Sequence, residues 1–339
     1  MKEMRINHSK REVLKRVGFV LILLMVIRVS GMAQNPDLVL SDEERERILQ
    51  NYKSIFPIWG KKAIERGFDL PFPAGIGINY LYMKQDIGLS ALELSAGDNP
   101  TQPVDFIQFN DADSKVSSYN VRLDLWLLPF LNVYGLYGRG RADTTVLISE
   151  PIEFESGVSQ VGNFYGFGFT TAIGIKRNWL AFDINWSWSD LELLDDPVQA
   201  RILSIRYGRT IKLGPKKKLA VWVGTMNQKF ETITQGSVVL EDVIPPEFKD
   251  TLQDYQNSEW YQDLNPAQRG IADQIMDKIL NSDLGQTKIN YRLDKAPADP
   301  WNMLLGSSLE WNKHWHIRAE AGFIGRFSIM IGLNYRFKL

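Results

Sequence analysis

The sequence Ile329-Met330-Ile331-Gly332-Leu333-Asn334-Tyr335-Arg336-Phe337-Lys338-Leu339 alternates without a break. Ile329, Ile331, Leu333, Tyr335, Phe337 and Leu339 share one face; Met330, Gly332, Asn334, Arg336 and Lys338 share the other. Successive side chains of a strand point to opposite sides, so this is a strand with one apolar face and one small or polar face. Such a strand suits a barrel wall with lipid outside and water or polar packing inside.

The pattern recurs upstream. Residues 75–86, 119–127, 131–141, 164–176, 179–189, 199–212, 219–235, 301–312 and 315–324 alternate in the same way, and 326–339 completes ten segments. The connections at 128–130, 176–178, 213–217 and 312–314 are tight; those at 87–118, 142–163, 190–198 and 236–300 are longer, and Gly325 makes one further tight turn. This predicts an all-β membrane protein: an antiparallel up-and-down transmembrane β-barrel of about ten strands, twelve being possible, with short periplasmic turns, long extracellular loops and both termini periplasmic.

A soluble barrel also alternates. Two details favour lipid. The polar faces carry Gly166, Gly168, Gly174, Gly208, Gly224, Gly306 and Gly332, which suit a crowded interior. Trp301 and Trp311 lie on one strand face, about 25 Å apart along the membrane normal at roughly 3.3 Å per residue and 40° tilt, the separation of two aromatic girdles.

At the other end of the chain, Lys2, Arg5, Lys10, Arg11, Lys15 and Arg16 precede a short apolar run over 17–27, followed by Ser30-Gly31-Met32-Ala33. This reads as a signal peptide over 1–33, the run being too short to span a bilayer. Residues 34–73 form a periplasmic helical segment: Ser41 and Glu44 make a capping box, the helix extends to about Gly67, and Pro57 kinks it. The barrel occupies 74–339, with an extracellular helical insertion over 236–300 in which Asn265 caps a helix reaching Gly285.

The chain has 39 basic and 40 acidic side chains; residues 1–33 hold seven and two of them, leaving 32 against 38. This mildly acidic balance shows no nucleic-acid footprint. With no cysteine, neither a disulfide framework nor a thiolate metal site is possible.

The ending Gly332-Leu333-Asn334-Tyr335-Arg336-Phe337 resembles the C-terminal β-signal of Gram-negative outer-membrane proteins, although Met330 stands where that pattern prefers a large polar residue and two residues follow Phe337. The resemblance implies an outer-membrane location among lipid and lipopolysaccharide. It also implies recognition of Gly332, Tyr335 and Phe337 by the barrel-assembly machinery.

Candidate functional residues fall into two groups. Arg122, Asp124, Asp183, Arg206, Arg318, Glu320 and Arg336, with Lys176, Asn185 and Arg326, face the lumen, either as a selectivity lining or as an internal network filling a narrow barrel. Ile271, Ile275 and Ile279 form the apolar stripe of the insertion helix, which suits a lid or plug over the barrel mouth, or an external subdomain.

The expectation is a narrow channel or small-solute transporter occluded by a loop or N-terminal helix. The alternative is a closed barrel displaying its loops for adhesion. A lipid-modifying enzyme fits less well, because His314 and His316, the only histidines beyond the signal segment, fall at a periplasmic turn rather than at the outer rim. No metal site or cofactor is expected: two histidines without a third ligand, and Asn110-Asp111-Ala112-Asp113 without a calcium loop's glycine and glutamate, do not make one.

Overall fold

The computed structural model describes residues 40–96, 100–150, 153–175, 177–214, 216–244, 252–284 and 286–339; the expected signal peptide lies outside them. The strands are β1 (Ala74–Ala96), β2 (Gln102–Pro103), β3 (Gln108–Leu128), β4 (Leu131–Glu150), β5 (Phe154–Ile175), β6 (Asn178–Leu191), β7 (Val198–Lys212), β8 (Lys218–Phe230), β9 (Ile233–Val239), β10 (Lys288–Pro297), β11 (Trp301–Glu310), β12 (Trp315–Phe323) and β13 (Arg326–Phe337). Ten of them close an antiparallel barrel in the order β1-β3-β4-β5-β6-β7-β8-β11-β12-β13 and back to β1. Phe337 lies opposite Ala74, Asn334 opposite Gly77 and Ile331 opposite Tyr80, so the terminal strand seals the barrel against the first.

The outer face over the membrane-spanning band is apolar: Ile78, Leu123 and Ile331 are 62, 59 and 53 % exposed. A continuous band of this kind is stable only against lipid. Inside, glycines make room for large rings. Trp222 lies across Gly306 and Trp179 across Gly208, so closely that a Cβ at either glycine would collide with the indole.

β1, β3, β4 and β5 have 23, 21, 20 and 22 residues, about twice what a bilayer requires. Segments expected to be loops, 87–118 and 142–163, are therefore largely strand. Along these strands the chemistry of the two faces inverts. Tyr119 is followed towards the long-loop end on the same face by Lys115 and Asp113, and Tyr137 by Arg139 and Arg141, while the inner face changes to Val116, Val146 and Val158. Beyond the lipid the exterior meets water, and the interior must supply the apolar core.

The neighbours of β1 change at the same level. From Ala74 to Gln85 it pairs with β13; above this, from Ile87 to Ala96, it pairs with β10, which pairs in turn with β9. Asp195 N donates to Gln235 O at 3.0 Å, tying β9 to the β6–β7 connection.

The N-terminal segment is not one kinked helix. α1 (Asp42–Gln50), capped by Ser41 and Glu44 as expected, is separated from α2 (Gly60–Glu65) by irregular chain. The ring of Pro57 removes a backbone donor and disfavours helix at the residue before it. This segment docks at the tight-turn end, where Lys218 and Lys313 both pair with Asp69 and Arg336 donates to Phe72 O at 2.8 Å. At the opposite end lie α3 (Leu240–Val243), α4 (Glu259–Gln262) and α5 (Pro266–Asn281). Asn265 caps α5 through a capping box with Gln268, and the helix stops four residues short of the expected Gly285.

Candidate binding cavity between a charged floor and a helical roof

The seven lumen residues come together in the lower barrel as linked clusters. Glu320 accepts from Arg206 Nε at 2.7 Å, Arg206 Nη2 at 2.9 Å, Trp222 Nε1 at 2.7 Å and Arg318 Nη2 at 3.0 Å. Asp124 accepts from Arg336 Nη2 at 2.9 Å and Asn132 Nδ2 at 2.7 Å. Asp183 accepts from Tyr134 Oη at 3.1 Å and Thr170 Oγ1 at 2.5 Å, and the Arg122 guanidinium stacks 3.6 Å from the centre of the Tyr134 ring.

Charged groups inside a barrel need such partners, because desolvation without compensation costs several kcal/mol per ion. The side chains of Glu320, Asp124 and Arg336 are 7, 4 and 9 % exposed. Their capacity for hydrogen bonds is spent on one another, which is the geometry of an internal network that fills the lower lumen.

Above this floor is a cavity of about 700 Å³, within the range of small-molecule sites. Its floor is Arg122, Tyr134, Asp183, Arg206, Arg318 and Glu320. Its walls are the inverted, apolar inner faces, including Leu89, Val116, Val146, Val158, Ile202 and Phe230.

The roof is α5. Ala272, Ile275, Met276 and Ile279 are buried in a core with Phe106, Leu240 and Tyr261, and Ile275, Met276 and Ile279 face the cavity. Ile271 packs partly buried against the same core without lining the cavity. Asp273 accepts from Tyr255 Oη at 2.8 Å and Tyr261 Oη at 2.9 Å, fastening α5 to the segment before it. Two bonds to one carboxylate and a shared apolar core hold the roof as one unit.

Two cations on the wall between β1 and β8 escaped the sequence reading or were placed in it without a role. Lys295 of β10 lines the cavity, paired across the ladder with Leu89. Burial pushes its ammonium below the ordinary lysine range. The signal was the alternation of Ile289, Tyr291, Leu293 and Lys295 with Asn290, Arg292 and Asp294 inside a stretch read as loop. Arg326, 2 % exposed, donates to Gln85 Oε1 at 3.3 Å, Asn302 Oδ1 at 3.1 Å and Gln228 Oε1.

The remaining sequence candidates lie at the tight-turn end or on the seam. The His314 ring stacks on Tyr335 at 5.2 Å, with Nδ1 2.7 Å from Arg336 O, and Trp315 meets Tyr335 edge-on at 4.9 Å. Tyr335 and Phe337 face outwards on β13, while Gly332 faces inwards against Asn79.

No protein-family model and no curated protein matches the chain. Among solved structures it is similar to the β domain of the Bordetella autotransporter BrkA, with 9 % identity, 78 % of this chain and all of that one covered, and a TM-score of 0.37. It is also similar to the translocator domain of the autotransporter NalP from Neisseria meningitidis (12 %, 89 % and 100 %, 0.34) and to the outer membrane protein OprG from Pseudomonas aeruginosa (10 %, 79 % and 98 %, 0.33). At these values the similarity assigns no activity.

Proposed function

We propose that the protein is an outer-membrane barrel that takes up a small, largely apolar solute into the cavity between floor and roof, with α5 as the lid. One observation carries this reading: the cavity beneath α5 is lined mainly by apolar side chains of the inverted strand faces. An apolar solute entering it gains roughly 25 cal/mol for each Å² removed from water. In this reading the long loops face outwards, both termini are periplasmic, the exterior band contacts lipid and lipopolysaccharide, and the assembly machinery reads Gly332, Tyr335 and Phe337. The role is binding and transfer rather than catalysis.

The test is equilibrium dialysis of radiolabelled dodecanol against the protein in lipid nanodiscs, with empty nanodiscs as the blank. Saturable binding is expected, and Ala142→Trp, which places an indole among the inward residues of β4, should remove it. Uptake no greater than that of empty nanodiscs would overturn the reading.

The charged floor supports a second reading, a closed barrel that displays its long-loop end to a partner. Recording in planar bilayers, with and without residues 254–285, bears on it. Steady conductance once the roof is deleted would count against a closed barrel; silence from both forms would support it.

A further inference from the structure

The cavity has an excess of positive charge on one wall, and this wall is built to present donors. The acids that line the cavity are Asp183 and Glu320, and both are committed at the floor, to Tyr134 and Thr170 and to Arg206, Arg318 and Trp222. Lys295 lines the apolar part above them with no acidic partner among the described residues. On the same inner face of β1, four residues or about 13 Å below Leu89, stands Gln85, opposite Arg326.

Arg326 determines what Gln85 and Gln228 offer. A guanidinium has only donors, so each amide must turn its oxygen towards it, and this assignment does not depend on which way an amide is drawn. Gln85 Oε1 and Gln228 Oε1 both accept from Arg326 Nη1. Their NH2 groups are left over, and both residues line the cavity. Arg326 is itself surrounded by amide oxygens, with no carboxylate among its partners in the described residues. The wall therefore shows the cavity an ammonium and two amide NH2 groups, backed by a buried cation that polarises them, and no carboxylate among the described residues.

We propose that the solute of this cavity is an anionic amphiphile, an apolar chain with a single carboxylate, whose head is held by Lys295, with the amide donors of Gln85 and Gln228 lower on the same wall. The proposal rests on the apolar-solute reading above and deepens it. A carboxylate here satisfies a partly buried ammonium that has no acidic partner among the described residues, and a charge-assisted bond in an apolar surround is stronger than one in water. An alcohol of the same chain length gains the apolar contacts alone, and an alkylammonium is repelled.

The experiment compares laurate, dodecanol and dodecylamine by equilibrium dialysis at about pH 7, where laurate is ionised. Wild-type protein and the Lys295→Met and Lys295→Arg variants are measured in nanodiscs against empty nanodiscs. Proper folding of each variant is checked by its altered electrophoretic mobility before boiling. Laurate is expected to bind about tenfold more tightly than dodecanol, dodecylamine more weakly than either, Lys295→Met to erase the difference, and Lys295→Arg to keep most of it. Equal binding of laurate and dodecanol, unchanged by Lys295→Met, would overturn the anionic head while leaving the apolar cavity standing. Absence of binding by all three would remove the apolar-solute reading itself, and the proposal with it.

Discussion

Arg336 and Asp124 meet at 2.9 Å across the inner face of β1, and the residue beneath their contact is Gly75. Gly75 lies opposite Arg336 on one side and Asp124 on the other, so the pair links β13 to β3 over the strand that closes the barrel. Arg336 also donates to Phe72 O and Pro73 O, which fixes the entry of the chain into β1.

This arrangement makes Gly75 a sensitive position of the seam. A Cβ there falls against Asp124 Oδ2 and close to Arg336 Nη1. Gly75→Val should separate the pair and deprive two buried charges of their ion-pair contact, at a cost of about 3 kcal/mol. Thermal unfolding, followed as loss of the compact electrophoretic form, should occur at a markedly lower temperature, whereas Gly157→Val, with open space around its Cβ, should change little. Equal effects of the two substitutions would mean that the seam is held elsewhere.

The docking of the N-terminal segment should depend on pH through Asp69. Burial pushes its carboxyl up, but Lys313 and Lys218 outweigh this and hold it below the usual carboxylate range. A group whose folded pKa is depressed contributes stability that is present above its unfolded value, about 3.9, and is lost as pH falls through the folded one. Proteolysis of residues 40–73 should therefore accelerate as pH is lowered from about 4 towards 2. Asp69→Asn should make the segment labile at neutral pH and flatten the acid dependence; an unaltered profile would assign the docking to Arg336 and the backbone bonds alone.

The floor should open if its central acid is removed. Glu320 is the shared counter-charge of Arg206 and Arg318, so Glu320→Ala leaves the largely buried Arg206 and the partly exposed Arg318 facing each other and should cost about 3 kcal/mol. In planar bilayers the variant lacking residues 254–285 should then conduct anions in preference to cations, since the constriction would carry net positive charge. Cation selectivity, or no difference from the same deletion with Glu320 intact, would show that Glu320 does not set the floor's potential.

The lipid-facing half of this protein was legible because one rule governs it. Residues such as Ile331 and Leu333 must alternate with Gly332 and Asn334 when a wall separates lipid from a packed lumen, and the closing pair β13–β1 follows from it. α5 was legible from Asn265, Pro266 and Gln268, which are local signals of a helix start. What α5 covers was not, because that depends on strands far away in the chain.

The upper wall was missed for a physical reason. Asp113, Lys115 and Asp143 break the apolar face and imitate loops, although the backbone continues as strand into water. Likewise the lumen residues could be named from spacing alone, but whether Arg206, Arg318 and Glu320 line a passage or neutralise one another depends on their distances. The N-terminal helix was over-extended because the apolar spacing of Ile55, Phe56 and Trp59 outweighed Pro57.

The inversion of the strand faces also acts as a depth stop. Tyr119, Tyr137 and Tyr165 stand on the outer faces of three neighbouring strands, with Tyr137 directly opposite Tyr165 and Tyr119 opposite Arg139, and Lys115 and Arg141 follow beyond them. Sinking the barrel further would carry these cations into hydrocarbon at about 2–4 kcal/mol each near mid-bilayer, and lifting it would expose Ile78, Leu123 and Ile331 to water. The chain thereby sets its own waterline, and the cavity is held just above it.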